Sequence, residues 1–128
     1  MKIEHICINV KDIEKEKAFY SGIFGLTSNQ KYHNNATGWE NYFLSSPEGG
    51  ARLELLSHAA MPQAQKERNA SGIVHLCFAL GSREKVLEVT ELVKAKGCPV
   101  LSDPRWTGDG YFESSFLDPE GNMIELTI

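Results

Sequence analysis

Hydrophobic and polar residues alternate over residues 3–10, near the start of the chain, and again over residues 73–80. Both runs are rich in β-branched residues, and a period of two is typical of a strand that buries one face. Each run carries a His followed by a Cys two positions later, at the same place in the run. The pattern therefore predicts two equivalent strands, one at the start of each half of the chain.

A stretch with helical spacing of apolar residues follows each of these strands. The first begins after Asp12 and ends near Gly25, and the second begins after Ser82 and ends near Gly97. Asp and Ser side chains accept hydrogen bonds from the free N–H groups of a first helical turn, and Gly is a good residue to end a helix. Each half is therefore predicted to continue as strand then helix.

Each half ends in a hairpin with the same turn sequence. Pro-Glu-Gly stands between two apolar runs, where Pro presets φ and Gly permits a positive φ. The hairpins cover residues 42–44, 46–50 and 52–56 in the first half and residues 112–117, 118–122 and 123–128 in the second. A weaker strand is expected in each remaining gap, around residues 28–33 and 99–102. The predicted fold is α+β, with two tandem βαβββ modules.

The length of 128 residues suits one domain and is too short for two independent ones. We expect residues 1–128 to form that single domain. Module one covers about 1–57, a linker rich in Ala, Gln and Pro covers about 58–71, and module two covers about 72–128.

Four side chains share the less apolar faces of the predicted strands: His5, Glu54, His75 and Glu125. A single His on a strand is more often a packing residue than a ligand, and a single Glu is often a solvated edge residue. Here one His and one Glu recur at matching positions in both halves, and this repetition favours a metal site. Two imidazoles and two carboxylates suit Zn, Ni, Co, Fe or Mn, and affinity order alone does not choose among these ions. An octahedral ion would keep two positions for water or substrate.

Composition and charge indicate which classes of binding partner to expect. The formal charge is −4, from 13 basic and 17 acidic residues, and a nucleic-acid partner would need a basic patch. No apolar run approaches the roughly 20 residues of a spanning helix, so no membrane partner is expected. The first residues include an acid and a His where a signal peptide would be apolar, and three cysteines give no disulfide framework. We expect a cytoplasmic protein with a small-molecule substrate.

Several motifs resemble those of the vicinal oxygen chelate superfamily, which includes glyoxalase I, extradiol dioxygenases, methylmalonyl-CoA epimerase, fosfomycin-resistance enzymes and bleomycin-binding proteins. They are the strand residue His5, the pair Phe19-Tyr20, residues 24–26 and the ending over residues 118–125. The resemblance covers the whole chain. It implies paired βαβββ modules whose curved mixed sheet encloses a metal-centred cavity, commonly in a homodimer.

The set His5, Glu54, His75 and Glu125 is most similar to that of short bacterial glyoxalase I. The resemblance implies one divalent ion (Ni, Co or Zn, with Mn or Fe as alternatives) and proton transfer between adjacent oxygenated carbons. It implies Glu125 as the catalytic base and Glu54 as its catalytic partner. The alternatives are an epimerase or dioxygenase of the same superfamily, or a protein of the antibiotic-sequestering type that binds a small molecule without catalysis.

Three positions depart from glyoxalase I that uses glutathione. Asn9 stands where such enzymes usually carry Arg, His58 stands where they carry Asn, and Ser71-Gly72 replaces a basic residue before the second His. Each change removes an expected partner for the two carboxylates of glutathione. We therefore expect a lyase or isomerase whose substrate, such as a thiol hemithioacetal of an α-oxoaldehyde, is not the glutathione adduct.

Three further residues are candidates for substrate binding. Arg52 is predicted on the face of Glu54, where it either neutralises an anionic substrate or balances charge in the cavity. Trp106 and Tyr111 lie in a glycine-containing segment, 104–111, that is predicted to be a loop. Cys7 and Cys77 lie two residues beyond the histidines, about 6.5–7 Å along a strand, which favours lining the cavity over sharing an ion.

Overall fold

The computed structural model describes residues 1–63, 66–67 and 69–128. They form two compact units, Met1–Ala64 and Gln65–Ile128, each with its own sheet and helix. Of the predicted linker 58–71, Ala64, Gln65 and Arg68 lie outside the described residues. The union of both modules in a single domain stays a prediction.

The first unit is a mixed sheet with one helix. In chain order its elements are β1 His5–Asn9, α1 Ile13–Phe24, β2 Thr27–Ser28, β3 Tyr32–His33, β4 Trp39–Ser45 and β5 Arg52–His58. The strand order is β1-β5-β4-β2, and β3 also pairs with β4. β1 and β5 run parallel, while the other pairs are antiparallel.

The second unit repeats this arrangement. Its elements are β6 His75–Ala79, α2 Arg83–Ala95, β7 Val100–Trp106, β8 Phe112–Leu117 and β9 Met123–Thr127. The strand order is β6-β9-β8-β7, with β6 and β9 parallel. The predicted α+β class and the repeated βαβββ module are therefore confirmed. The weak strand expected around 28–33 is divided into the short β2 and β3.

The segment 104–111 differs from its prediction as a loop. β7 continues through Pro104 and Arg105 to Trp106, and only the residues after it form a turn. Pro lacks a backbone donor, so within a sheet it is confined to edge strands and bulges. β7 is an edge strand, and its register with β8 shifts between Ser102 and Arg105. Both conditions for a strand proline are met.

The predicted helix ends are confirmed. The Asp12 side chain accepts a hydrogen bond from the backbone N–H of Lys15 at 3.0 Å, and Ser82 accepts one from Lys85 at 3.2 Å. Gly25 ends α1 with φ of 65°, a left-handed conformation that other residues rarely adopt. The two N-terminal caps fix the residue at which each helix begins after the first strand of its unit, and Gly25 fixes the end of α1.

Each helix covers one face of its own sheet, where the core lies. Leu55 of β5 and Leu126 of β9 are completely buried, and so are Tyr20 of α1 and Val86 of α2, the helices that pack on these strands. Because strand residues alternate, the residues between these core positions lie on the other face. In the described part of the chain, no helix is long and apolar enough to cross a membrane.

Candidate metal centre

The sheet of the first unit brings His5 and Glu54 to one face. In the register of β1 and β5, His5 is opposite Arg52 and Cys7 is opposite Glu54. Residues two apart on a strand share a face, so His5 lies diagonally across from Glu54. Both side chains lie on the face opposite to the one that buries Leu55.

The second unit repeats this register. His75 is opposite Met123 and Cys77 is opposite Glu125, so His75 lies diagonally across from Glu125. Each unit therefore presents one imidazole and one carboxylate in the same relation.

The two pairs have nearly the same separation. His5 Nε2 lies 3.6 Å from Glu54 Oε2, and His75 Nε2 lies 3.7 Å from Glu125 Oε2. Both distances are longer than a hydrogen bond. Two donor atoms bound to one ion at about 2.0–2.2 Å lie at most about 4.4 Å apart, so each pair fits shared coordination. Imidazole nitrogen and carboxylate oxygen are also donor types that suit divalent transition metals.

Within residues 1–63, 66–67 and 69–128, no group of three or more His, Cys, Asp or Glu side chains is arranged to hold a metal ion. Each unit, described by itself, brings together one imidazole and one carboxylate. The four-ligand centre predicted from the sequence, and the cavity around it, stay predictions.

The ring of His5 is held on its far side by Glu4 and Phe43, which the sequence did not single out, and Arg52 contacts both of them. Glu4 Oε2 lies 2.5 Å from His5 Nδ1, and the other oxygen of Glu4 lies 2.5 Å from Arg52 Nη2. The Arg52 guanidinium stacks over the Phe43 ring at 4.2 Å, and the His5 ring meets the same Phe43 edge-on at 5.5 Å. The hydrogen bond from His5, followed by Arg52, holds the pKa of the Glu4 carboxyl below its usual value.

Glu54 also has a partner that was not predicted. The Asn41 amide donates a hydrogen bond of 2.8 Å to Glu54 Oε1, which leaves Oε2 toward His5. Asn41 of β4 is opposite Leu56 of β5, and Leu56 lies two positions beyond Glu54 on that strand. The corresponding position in the second unit, opposite Thr127, is Glu113. Glu125 therefore has an acid where Glu54 has an amide donor.

The two cysteines are protonated neighbours of the carboxylates. Burial, followed by the charge of Glu54 and a hydrogen bond to it, raises the pKa of the Cys7 thiol to about 11. Burial and the hydrogen bond to Glu125 raise the pKa of the Cys77 thiol to about 12. Since the thiolate is the form that ligates metals, both values favour the lining role predicted from the sequence.

The predicted substrate-binding residues occupy different surroundings. Arg52 lies on the face of His5, bound to Glu4. Trp106 is mostly exposed at the end of β7 and meets the Phe112 ring at 5.4 Å. Tyr111 is also exposed, and its backbone closes a turn with Thr107. Their contact with a substrate stays a prediction.

The histidines that have no counterpart in the other half are engaged locally. His58 Nε2 lies 3.0 Å from the Thr37 carbonyl, and its Nδ1 accepts a hydrogen bond from the backbone of Ala60. His33 pairs with Glu40 at 3.1 Å. His58 therefore fixes the chain before β4 and does not present a free ring nitrogen.

Comparison with known proteins points to one family. The sequence model of the Glyoxalase/Bleomycin resistance protein/Dioxygenase superfamily matches residues 2–126. The uncharacterised protein YwkD of Bacillus subtilis is 32% identical over 124 residues, which cover 97% of this chain and 94% of YwkD. A probable lactoylglutathione lyase of Vibrio cholerae is 27% identical over 128 residues, with coverage of 98% and 88%.

A solved structure matches over the full length. The glyoxylase/bleomycin resistance protein/dioxygenase domain from Frankia aligns with a TM-score of 0.85 and 16% identity, covering 100% of this chain and 97% of that domain. At this identity the likeness is one of fold.

The raised thiol pKa values predict slow alkylation. In metal-free protein at about pH 8, iodoacetamide should modify Cys7 and Cys77 at least about tenfold more slowly than in urea-unfolded protein, since few thiolates are present. Glu54→Gln removes a charge that raises the Cys7 pKa, so Cys7 alone should react faster, while Glu125→Gln should accelerate Cys77 alone. Mass spectrometry of the modified peptides measures both rates, and each cysteine is the control for the other. Equal rates in folded and unfolded protein would contradict the assigned surroundings.

Proposed function

The chain belongs to the glyoxalase/bleomycin resistance protein/dioxygenase superfamily, and within it we propose a divalent-metal-dependent lyase or isomerase similar to glyoxalase I. Its substrate is a small oxygenated molecule such as a thiol hemithioacetal of an α-oxoaldehyde. The Vibrio cholerae relative, by its name a lactoylglutathione lyase, supports this reaction type.

The observation that carries the proposal is the repeated His and Glu pair. His5 with Glu54 and His75 with Glu125 hold the same register positions and nearly the same separation in both units. We assign these four residues to one divalent ion, with Ni, Co or Zn favoured and Mn or Fe as alternatives, in a protein that acts as a homodimer.

The reaction is an internal proton transfer with no net loss of atoms. A proton leaves the carbon that bears sulfur and hydroxyl and is returned to the neighbouring carbonyl carbon. The hydroxyl proton passes to the former carbonyl oxygen, so the sulfur-bearing carbon becomes the thioester carbonyl and its neighbour bears the new hydroxyl. A bound divalent ion supplies Lewis-acid stabilisation of the negative charge that develops on the two oxygens. The chain supplies the carboxylate that accepts the proton and returns it.

Glu125 is the better candidate for this base. One oxygen of Glu54 is occupied by the Asn41 amide at 2.8 Å, while Glu113 holds the equivalent place beside Glu125. A carboxylate committed to an amide donor is less free to move and to accept a proton than one without it. Glu54 then serves as the partner that holds or relays the proton at the other end of the transfer.

The thiol is proposed to be one other than glutathione. Neither Asn9 nor His58 can bind a substrate carboxylate as a fixed cation does, and both ring nitrogens of His58 are used by backbone groups. Arg52 is ion-paired with Glu4 at 2.5 Å. Trp106 and Tyr111, both exposed, are the residues we assign to a planar or polar part of the substrate.

A screen of hemithioacetals tests the substrate assignment. Methylglyoxal adducts of several thiols, including glutathione, should be compared with metal-loaded protein. We expect the glutathione adduct to be a poor substrate, because the partners for its carboxylates are missing. A kcat/KM on it within the ordinary enzyme range of about 10⁴–10⁸ M⁻¹s⁻¹ would refute the thiol assignment and keep the reaction type.

A pair of matched variants tests the catalytic roles. Glu125→Gln and Glu54→Gln each keep an amide oxygen that can ligate an ion, but neither amide can act as a base. At saturating metal, Glu125→Gln should lower kcat by at least about 10²-fold, the lower bound for a lost general base. Glu54→Gln should cost less.

The order of the two effects decides between assignments. A larger loss for Glu54→Gln would move the base to the first unit. No loss in either variant, with metal still bound, would make the carboxylates structural and favour the small-molecule-binding alternative.

A further inference from the structure

We propose that Glu4 and Arg52 are positioning residues that hold His5 with its Nε2 atom directed to the metal. The inference rests on the proposed function, because it concerns how one of the four assigned ligands is oriented. It gives the two His–Glu pairs different roles: His5 of the first pair is held in place before metal binds, and His75 of the second pair is not.

Three contacts fix the His5 ring. Its Nδ1 lies 2.5 Å from Glu4 Oε2, while Nε2, on the other side of the ring, lies 3.6 Å from Glu54. The edge-on contact with Phe43 at 5.5 Å restricts rotation of the ring. Since Glu4 is ionised and accepts only, the shared proton belongs to Nδ1, and Nε2 keeps the lone pair that a metal needs.

Arg52 in turn holds Glu4. Its Nη2 lies 2.5 Å from Glu4 Oε1, and its guanidinium stacks on Phe43 at 4.2 Å. Glu4 lies just before β1, with a side chain that is 56% exposed, so without Arg52 it would sample many rotamers. Phe43 contacts both Arg52 and His5, which joins the three side chains into one cluster.

Among the described residues of the second unit, the matching positions do not give His75 this support. Val74 precedes His75 where Glu4 precedes His5, and Met123 is opposite His75 where Arg52 is opposite His5. Ser115 is opposite Glu125 where Phe43 is opposite Glu54. The repeat thus conserves the assigned ligands between its halves but not the residues behind them.

The sign of an Arg52 effect separates positioning from simple electrostatics. Removing a positive charge near a cation site should strengthen metal binding if Arg52 acts only through its charge. It should weaken metal binding if Arg52 acts by holding Glu4 and, through it, His5. Arg52→Met is the informative variant because Met occupies the matching position in the second unit.

The first readout needs no metal. In metal-free protein at about pH 8.5, where free imidazole is neutral, ¹⁵N NMR of the ring nitrogens reports which one carries the proton. We expect the proton of His5 on Nδ1, with Glu4→Ala shifting His5 toward the ratio shown by His75. Glu48→Gln, which removes an exposed acid in the hairpin turn of the same unit, should leave both ratios unchanged. An unchanged His5 ratio in Glu4→Ala would overturn the proposal.

The second readout is affinity for Ni²⁺ alone. Loss of an outer-shell partner typically costs 10- to 100-fold in metal affinity, so Glu4→Ala should weaken Ni²⁺ binding by about that factor. Arg52→Met should weaken it by roughly three- to tenfold, since it acts through Glu4. Glu4→Asp should recover part of the loss, and Glu48→Gln should match the parent protein. Tighter binding by Arg52→Met would overturn the positioning role.

His5→Ala separates this inference from the proposed function. If His5→Ala binds Ni²⁺ as well as the parent protein does, the ligand assignment itself fails, whatever the Glu4 variants show. If His5→Ala loses Ni²⁺ while Glu4→Ala and Arg52→Met do not, the metal site stands and the positioning role fails.

Discussion

The parallel pairing of the first and last strand of each module is the constraint on which the candidate site depends. In that register Cys7 is opposite Glu54 and Cys77 is opposite Glu125, and the alternation of side chains then places each His diagonally across from its Glu. A slip of one residue would turn every such side chain to the opposite face, where the helix and core lie. Burial of Leu55 and Leu126 therefore fixes the register, and the register fixes the two His–Glu pairs.

Duplication of the module conserves the pairs more closely than their surroundings. Glu54 accepts an amide hydrogen bond from Asn41, whereas Glu113 stands at the matching place beside Glu125. Glu4 and Arg52 secure His5, whereas Val74 and Met123 stand beside His75. Among the described residues, the His5–Glu54 pair therefore has more supporting side-chain contacts than the His75–Glu125 pair. Such an asymmetry suits a division between holding an ion and transferring a proton.

The repeated module and the four candidate ligands can be predicted from the sequence because the signals for them are local. Pro-Glu-Gly turns, helix caps and alternation predict the module, and repetition identifies the four candidate ligands. Asn41 and Phe43, which contact Glu54 and His5, were not predicted. Their contacts depend on how β4 pairs with β5, and no local pattern in the sequence reveals that pairing. The glycine-containing segment 104–111 was predicted as a loop, and its start is a strand instead. A proline such as Pro104 is acceptable in a strand only at an edge or a bulge, and strand order is not visible in the sequence.

We propose that two imidazoles and two carboxylates, and not the neighbouring thiols, bind one divalent ion. X-ray absorption spectroscopy of untagged, metal-loaded protein, with the ion counted against protein, distinguishes these two kinds of ligand. We expect about one ion per chain, a first shell of nitrogen and oxygen, and imidazole scattering from two rings. A sulfur neighbour at about 2.3 Å would assign the ion to Cys7 or Cys77 and rule out the proposed ligand set. So would a metal content far below one ion per chain after loading.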